Sequence, residues 1–342
     1  MNLQVTKSNR FAAGLAIVVV LGVSIRAHPK ETTTAIEVLK EQAKRVETLV
    51  ATPLGRAFLA AVGDLPPVET PRAVYYNRGS RDAISEDAAA ALDDSALAVY
   101  ERREFDDHFY YFTRYGTPLA FVRPLELTGL ASVDGIDVLE FGFGSIGQLK
   151  LLAALGANAV GIEVDPLLRV LYGRQGDTGE MPRAAASGSG RRGTVRTLYG
   201  HFPAETNLVS EVGGGYELFV SKNTLKRGYI HPEREVDPQK LVHLGVDDET
   251  FVRTVYALLE PGGFVMIYNL HSRQAGPEEP YIPWVDGRFP FARELCERLG
   301  FEVLAFDVDD SEAARAMGKA FGWDEQMDLE NDLFATYTLL RK

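Results

Sequence analysis

One stretch of ten residues constrains the fold of this chain more than any other. Residues 138–147 read Val-Leu-Glu-Phe-Gly-Phe-Gly-Ser-Ile-Gly, and an apolar run follows from Gln148. The first part is typical of a buried strand and the run is typical of a helix. Gly142 and Gly144 allow a tight turn and close approach to a ligand, and Gly147 allows close helix packing. A strand, a glycine-rich loop and a helix in this order predict a nucleotide-like cofactor at the end of a parallel sheet.

Strands and helices alternate regularly from residue 136 onward. The pattern predicts strands at 136–141, 159–164, 194–199, 217–221, 264–268, 301–307 and 333–340. Between them it predicts helices at 148–155, 166–172, 251–259 and 291–299. This alternation is typical of an α/β fold with a mostly parallel sheet, and we assign residues 133–342 to one such domain.

The chain before residue 133 has a different pattern. Residues 35–50 show the spacing of an amphipathic helix, the proline-rich stretch 65–71 is typical of a linker, and a second helix is expected from Ser85 toward Glu104. Aromatic side chains cluster at 105–115, where they either pack the helices onto the main domain or cover a substrate pocket. We therefore predict a helical N-terminal region with a linker at 28–132.

The first 27 residues resemble a targeting segment. Residues 11–25 are almost entirely apolar and follow Lys7 and Arg10, with no acidic residue in 1–27. The pattern predicts a secretory signal or a membrane anchor, although the run is short for a full span, which needs about 20 residues. The alternative is a start site placed too far upstream of a soluble protein.

Charge and cysteine content exclude two classes of function. The formal charge is −12, and because residues 1–27 contribute +3, the remainder carries −15. Such a body repels phosphate backbones, so no nucleic-acid partner is expected. The chain has a single cysteine, Cys296, which excludes an intrachain disulfide and a cysteine-based metal site. No pair of histidines has ligand spacing on one helix, and we predict no metal.

The glycine spacing alone leaves the cofactor open. Gly142, Gly144 and Gly147 also form the G-x-G-x-x-G pattern of a dinucleotide fold, with Glu163 about 20 residues on, where an acid would hold a ribose. Glu140 disfavours NAD, because a carboxylate just before the glycines would face a negative pyrophosphate. The same carboxylate could hold the methionine ammonium of S-adenosylmethionine, directly or through water. We call residues 142–147 the glycine loop.

With these residues and the Pro261-Gly262-Gly263 turn, the chain resembles the class I S-adenosylmethionine-dependent methyltransferases over most of 133–341. The resemblance implies a Rossmann-like sheet of seven strands with the last one antiparallel. It also implies that the glycine loop lies against the methionine part of the cofactor, with Glu140 beside it, and that Glu163 accepts hydrogen bonds from both ribose hydroxyls. Asp165, on the same side of an extended chain, is a weaker candidate for the ribose.

One turn departs from the family pattern. After the third strand the family often has an acid that meets the adenine amino group, whereas residues 199–203 here read Tyr-Gly-His-Phe-Pro. Either His201 and Phe202 cover the adenine ring, or His201 is an ordinary loop histidine. Polyamine synthases share the fold and favour a glutamate at the second strand end, but the acid-rich turns expected for a polyamine are missing from the fourth strand.

The catalytic residues are expected at the carboxyl end of the fourth strand, where the acceptor meets the methyl group in this fold. Residues 221–232 there read Ser-Lys-Asn-Thr-Leu-Lys-Arg-Gly-Tyr-Ile-His-Pro. Asn223 is a candidate for orienting an amine or hydroxyl, His231 for a general base, and Tyr229 for lining the pocket. His271, after the fifth strand, is a second candidate base.

The sequence therefore predicts an enzyme that transfers the methyl group of S-adenosylmethionine to a small or medium-sized acceptor, with O- or N-methylation left open. Because this cofactor is made in the cytosol, we expect a membrane association through residues 11–25 with the catalytic domain facing the cytosol. The alternatives are an exported protein, or a cytoplasmic one if the start site is misplaced. The competing functions are a membrane-associated accessory protein that binds the cofactor without turnover and, ranked third, an NAD(P)-dependent oxidoreductase.

Overall fold

The N-terminal region consists of helices and a small sheet. The computed structural model describes residues 33–185, 191–273, 276, 278–279 and 281–342. The helices of this region are α1 (Ala35–Val46), α2 (Pro53–Ala60), α3 (Glu86–Ala90), α4 (Asp94–Leu97), α5 (Asp107–Phe112) and α6 (Val122–Thr128). Its strands β1 (Arg72–Tyr76), β2 (Ala83–Ile84) and β3 (Glu101–Phe105) pair antiparallel in the order β2-β1-β3.

The prediction of one helix from Ser85 toward Glu104 is wrong over its second half. Residues 86–97 form two short helices, and residues 101–105 form β3 instead of continuing them. The backbone N–H of Ala96 donates to the Asp93 carboxylate at 2.8 Å, which starts α4 as a separate helix. β3 pairs with β1 along its whole length. The strand forms because β1 offers a pairing edge, which the local sequence does not show.

The main domain alternates strands and helices much as predicted. Its strands are β4 (Asp137–Phe141), β5 (Asn158–Glu163), β6 (Gly179–Glu180), β7 (Thr194–Tyr199), β8 (Tyr216–Lys222), β9 (Leu259–His271), β10 (Glu302–Asp309) and β11 (Phe334–Arg341). Its helices are α7 (Ile146–Ala154), α8 (Pro166–Leu171), α9 (Thr206–Val212), α10 (Arg227–Ile230), α11 (Asp248–Leu258), α12 (Arg293–Arg298), α13 (Ser311–Ala320) and α14 (Leu329–Asp332).

These strands form a sheet in the order β10-β11-β9-β8-β4-β5-β7-β6. Strands β4, β5, β7, β8 and β9 run parallel to one another, whereas β11 is antiparallel to both β9 and β10, and β6 is antiparallel to β7. Apart from the two-residue strand β6, this is a seven-stranded sheet with an antiparallel last strand, so the predicted fold class is confirmed. The strand order reverses at β4, and ligands bind at the carboxyl ends of strands beside such a reversal.

Apolar layers cover both faces of the sheet. Val138 of β4 belongs to a buried cluster with α7, α8 and the N-terminal helices, whereas Leu139 belongs to a cluster with α11 and α12. Successive side chains of a strand point to opposite faces, so one strand contributes to both layers. Every residue of α7 is buried, because the N-terminal region covers the helix on the side away from the sheet. The glycine loop therefore begins a fully enclosed helix.

Buried polar contacts also hold the N-terminal region to the main domain. The Arg72 guanidinium of β1 forms two hydrogen bonds with the Asp177 carboxylate, at 2.6 and 2.8 Å, and a third with the Leu171 carbonyl at 2.8 Å. Arg72 is 6% exposed and Asp177 3%. Leu171 is the last residue of α8. The small sheet is therefore linked to the helix that follows β5.

The structure contradicts the predicted membrane association. Over the residues that the structure describes, no helix is long and apolar enough to cross a membrane. Residues 11–25, on which the prediction depended, lie outside the described residues, as does the whole predicted segment 1–27.

Candidate functional site

The glycine loop has a backbone that only glycine adopts easily. Gly142 and Gly144 have φ of +71° and +60°, in the left-handed region. A Cβ atom at Gly142 would lie 2.2 Å from Thr224 Oγ1, and one at Gly144 would lie 2.8 Å from the Tyr115 ring. A Cβ at Gly147 would lie 2.8 Å from Pro118. All three glycines thus permit close contact between the loop and neighbouring segments.

Glu163 lies beside this loop at the carboxyl end of β5. One carboxylate oxygen accepts a hydrogen bond from the Gly144 N–H at 3.1 Å, and the other accepts from the Val164 N–H at 2.8 Å. The residue is 8% exposed, and burial raises the pKa of its carboxyl while the backbone donors oppose the rise. The structure therefore places the predicted ribose carboxylate in direct contact with the glycine loop.

Glu140 is a buried carboxylate at the carboxyl end of β4. It is 1% exposed, and its Oε1 accepts a hydrogen bond from Gln148 Nε2 at 3.1 Å. Its Oε2 is buried and has no hydrogen-bond partner among the residues that the structure describes. Burial raises the pKa of Glu140 well above its usual value, opposed by the Gln148 hydrogen bond and by the charge of Lys222. An unpaired buried carboxylate oxygen suits a cationic ligand group.

Asp165 has two other partners. Its Oδ1 accepts a hydrogen bond from the Leu167 N–H at 3.0 Å and caps α8, and its Oδ2 pairs with the Arg114 guanidinium. Arg114 precedes Tyr115, whose ring lies on Gly144. Asp165 therefore helps to hold the segment that covers the glycine loop, and each of its carboxylate oxygens has a partner outside that loop.

The turn after β7 contains an acid that sequence reasoning missed. His201 is exposed, and its backbone N–H donates to Glu205 Oε1 at 2.7 Å. A Cβ at Gly200 would lie 2.7 Å from Glu205 Oε2. The Glu205 side chain thus folds back onto the turn where the family often has its adenine-side acid. Glu205 lies two residues beyond Pro203, at the start of α9, so the sequence of the turn itself does not show it.

The two predicted catalytic residues are held by different elements. Asn223 has φ +67°, and its Oδ1 accepts a hydrogen bond from the Leu270 N–H at 2.7 Å, which links the carboxyl ends of β8 and β9. His231 is exposed, and its Nε2 lies 2.9 Å from an oxygen of Asp248 in the first turn of α11. Asn223 precedes Thr224, which contacts the glycine loop, whereas His231 is held at the surface.

A buried polar cluster follows Thr224, and sequence reasoning missed most of it. Lys226 is 0% exposed, and its Nζ donates to the Leu270 carbonyl and lies 3.3 Å from the centroid of the Trp284 ring. Asn269 Nδ2 donates to the carbonyls of Leu225 and Gly287, at 2.8 and 2.9 Å. The His271 ring contacts Gly287 as well. We call Lys226, Asn269, His271 and Trp284 the polar cluster.

His271 is held in one tautomer by its backbone contact. Its Nδ1 lies 2.9 Å from the Ser272 carbonyl, which can only accept, so Nδ1 carries the hydrogen and Nε2 has the lone pair. Nε2 is buried and has no partner in the described part of the chain. Burial lowers the pKa of His271, and the nearby Lys226 charge lowers it further. Within the described ranges, no group of three or more metal-ligating side chains was found.

Comparison with known proteins identifies similar structures but no similar sequence. No protein-family model matches the chain, and no curated protein matches it. A methyltransferase from Mesorhizobium loti is 14% identical, with a TM-score of 0.36 over 64% of this chain and 96% of that one. Phosphoethanolamine N-methyltransferase 2 of Haemonchus contortus, in complex with S-adenosylmethionine, is 12% identical, with a TM-score of 0.35 over 81% and 70%. The (4+2)-cyclase SpnF is 15% identical, with a TM-score of 0.38 over 93% and 99%.

At these identities and TM-scores the comparisons carry no argument about the reaction. The assignment of the fold rests on the strand order itself. A shared fold does not by itself fix one chemistry. The function has to be argued from the side chains at the carboxyl edge of the sheet.

Proposed function

We propose that this chain, which has the fold of the class I S-adenosylmethionine-dependent methyltransferases, binds S-adenosylmethionine at the glycine loop and transfers its methyl group to a small acceptor. The position of Glu163 is the observation that carries the proposal. Its carboxylate is 8% exposed and accepts a hydrogen bond from the Gly144 N–H at 3.1 Å. A carboxylate held at that place suits a vicinal diol, because its two oxygens can accept both hydroxyl hydrogens.

The environment of Glu140 fits the cationic end of the same cofactor. Its Oε2 is buried without a partner among the described residues, and an ammonium beside it would compensate the buried negative charge. A pyrophosphate there would add a second negative charge, which disfavours NAD. Glu205, folded onto the turn after β7, is the candidate acid on the adenine side.

The cofactor supplies a methyl group on a positively charged sulfur. The acceptor's lone pair forms the bond to the methyl carbon, the carbon–sulfur bond breaks with its electron pair left on sulfur, and the acceptor gives up its proton to a base. His271 is the proposed base, because its Nε2 lone pair is unpartnered and burial favours the neutral ring. His231, exposed and paired with Asp248, is the alternative.

Calorimetric binding to the full chain tests the cofactor. We expect S-adenosylmethionine and S-adenosylhomocysteine to bind, and Glu163→Gln to weaken binding about tenfold to a hundredfold, as for lost hydrogen bonds to a charged group. Asp165→Asn is the matched control, since Asp165 caps α8 and pairs with Arg114, and we expect a smaller effect. Tighter binding of NAD, or no binding of either compound by folded protein, contradicts the proposal.

Formation of S-adenosylhomocysteine with a panel of small amines and alcohols tests turnover. With an acceptor found in this way, His271→Gln should lower kcat and remove the acid limb of the pH profile, whereas His231→Gln should leave both unchanged. Tight cofactor binding with no turnover on any acceptor would favour a binding protein. Loss of activity in His231→Gln alone would move the base to the surface histidine.

A further inference from the structure

Lys226 is a fully buried cation that lacks an acidic partner. It is 0% exposed, and its hydrogen bond goes to a neutral acceptor, the Leu270 carbonyl. Among the residues that the structure describes, no carboxylate oxygen lies within 4.0 Å of its Nζ. Asp286 is buried in the neighbouring loop, but its oxygens bind the Arg288 guanidinium at 2.7 and 2.9 Å. The charge that acts on the Lys226 ammonium is that of another cation, Lys222, which lowers the Lys226 pKa further.

A buried ammonium without an anionic partner destabilises the folded protein. Burying an ammonium costs several kcal/mol unless an anion and further hydrogen bonds compensate it. The Trp284 ring face, 3.3 Å from Nζ, offsets only part of this cost. Burial accordingly lowers the pKa of Lys226 well below its usual value. A negative group beside Nζ would favour the charged ammonium and compensate its burial.

Neighbouring side chains also have polar atoms without partners. Asn269 is 1% exposed, and its Oδ1 has no hydrogen-bond partner within the described residues. Trp284 Nε1 and His271 Nε2 are also buried and have no hydrogen-bond partner among the described residues. Native proteins leave few buried polar atoms unsatisfied, and here three belong to side chains that contact Gly287 or Lys226. Together they offer a cation, a neutral donor and two acceptors.

The polar cluster lies next to the proposed methyl-transfer site. Thr224 contacts Gly142 of the glycine loop, and Lys226 follows two residues later. Asn223 and Lys226 bind the N–H and the carbonyl of the same residue, Leu270. Contacts of residues 223–226 thus connect the glycine loop with the carboxyl end of β9, where the polar cluster lies.

We propose that the polar cluster is the acceptor subsite, and that the acceptor is a small carboxylate carrying an amine or a hydroxyl. The carboxylate pairs with Lys226 and accepts from Trp284 Nε1. The amine or hydroxyl donates toward His271 Nε2 and Asn269 Oδ1. The inference rests on the proposed methyl transfer, because it names the acceptor class of that same site.

The Trp284 ring has to move for the acceptor to enter. It covers the Lys226 ammonium, so an incoming carboxylate replaces a cation–π contact with an ion pair. The ring lies in a short helical turn at Pro283–Val285 that packs on α10. The chain has two tryptophans, and Trp323 lies elsewhere, against Phe321 at 5.4 Å between ring centroids. In a Trp323→Phe protein, fluorescence therefore reports Trp284 alone.

The test is a fluorescence titration of full-length Trp323→Phe protein with phenylacetate and with its neutral isostere phenylacetamide, each with and without S-adenosylhomocysteine. The probe's ring suits the aromatic walls formed by Trp284 and Tyr229, whose ring centroid is 5.4 Å from Lys226 Nζ. We expect a saturable change with phenylacetate and binding of the amide at least about tenfold weaker, a difference of about 1.4 kcal/mol. Lys226→Met should abolish the preference, and Lys240→Met, at an exposed lysine, should retain it.

The outcomes separate the two proposals. If S-adenosylhomocysteine binds but the carboxylate and the amide bind equally, or neither binds, the acceptor inference is overturned and the proposed function stands. If S-adenosylhomocysteine does not bind, the proposed function is overturned. A remaining preference for phenylacetate over phenylacetamide would then mark an anion site with another role. The comparison of the two probes in protein that retains Lys226 decides the matter even if Lys226→Met fails to fold.

Discussion

The ion pair between Arg72 and Asp177 allows a quantitative test of how the N-terminal region is attached. Arg72 and Asp177 are 6% and 3% exposed, and their hydrogen bonds measure 2.6 and 2.8 Å. In Arg72→Met the Asp177 carboxylate would stay buried, with hydrogen bonds from Tyr110 Oη at 2.8 Å and the Arg174 N–H at 2.9 Å. Neither donor carries a charge, so the buried negative charge would have no counter-ion among these contacts.

Removal of one member of a buried ion pair costs about 3–5 kcal/mol, because the other charge is left uncompensated. A domain's whole free energy of unfolding is about 5–15 kcal/mol, so the single variant should lose a large part of its stability. The double variant Arg72→Met/Asp177→Leu should recover most of the loss, since apolar groups of similar size replace both charges. Because Arg72 also binds the carbonyl that ends α8, we expect weaker cofactor binding in the single variant.

Urea unfolding followed by circular dichroism measures the difference. Arg253→Met is the matched control, because Arg253 pairs with Glu249 on an exposed helix face, where an ion pair contributes little. The reasoning is refuted if Arg72→Met destabilises the protein no more than Arg253→Met does. It is also refuted if the double variant is as unstable as the single one.

Three further predictions concern the loop and the buried charges. Gly142→Ala should lower the free energy of unfolding by more than about 1–2 kcal/mol and abolish S-adenosylhomocysteine binding, because φ is +71° and the new Cβ meets Thr224. Gly63→Ala is the control, because its Cβ lies in open space, and urea unfolding and calorimetry should show neither effect for it. Glu140→Gln should raise the free energy of unfolding at neutral pH, because burial holds the pKa of the Glu140 carboxyl above 4.5 in the folded protein. Unfolding measured at a series of pH values should show this gain in stability decreasing as the pH falls toward 4.5, and a gain that grows on acidification contradicts the prediction. Lys150→Met should likewise stabilise the protein at pH 7, because burial lowers the pKa of Lys150 from 10.5 to about 8. This gain in stability should disappear as the pH rises from 8 to 10.5, and a gain that stays constant over that range would indicate a purely steric effect.

The glycine loop was predictable because its structure is set locally. Gly142 and Gly144 take positive φ values that their neighbours could not adopt without strain, and the strand before them is buried from Val138 to Phe141, where three of its residues are apolar. The strand predicted at 194–199 coincides with β7 for a similar reason, since glycines lie on both sides of it. Local conformational limits and hydrophobic runs therefore placed the cofactor edge of the sheet.

The acceptor side was not predictable, because its character depends on contacts between distant segments. In the sequence Lys226 stands among polar residues and looks like a surface lysine, but the loop that contains Trp284 folds over it. His231 looked like the better base, yet it pairs with Asp248 at the surface, while His271 is enclosed. β3 likewise depends on β1. Burial and pairing of this kind appear only once the chain is folded.

The two edges of the large sheet differ from its interior. One edge is β6, two residues long and antiparallel to β7. The other is β10, whose register shifts between Val303 and Ala305 and again between Ala305 and Val308, where Asp307 has φ +49°. A long, flat edge would offer unpaired N–H and carbonyl groups to a strand from a second copy, whereas a very short edge and a bulged one do not. The short β6 and the bulged β10 therefore disfavour growth of the sheet by addition of a strand from a second copy.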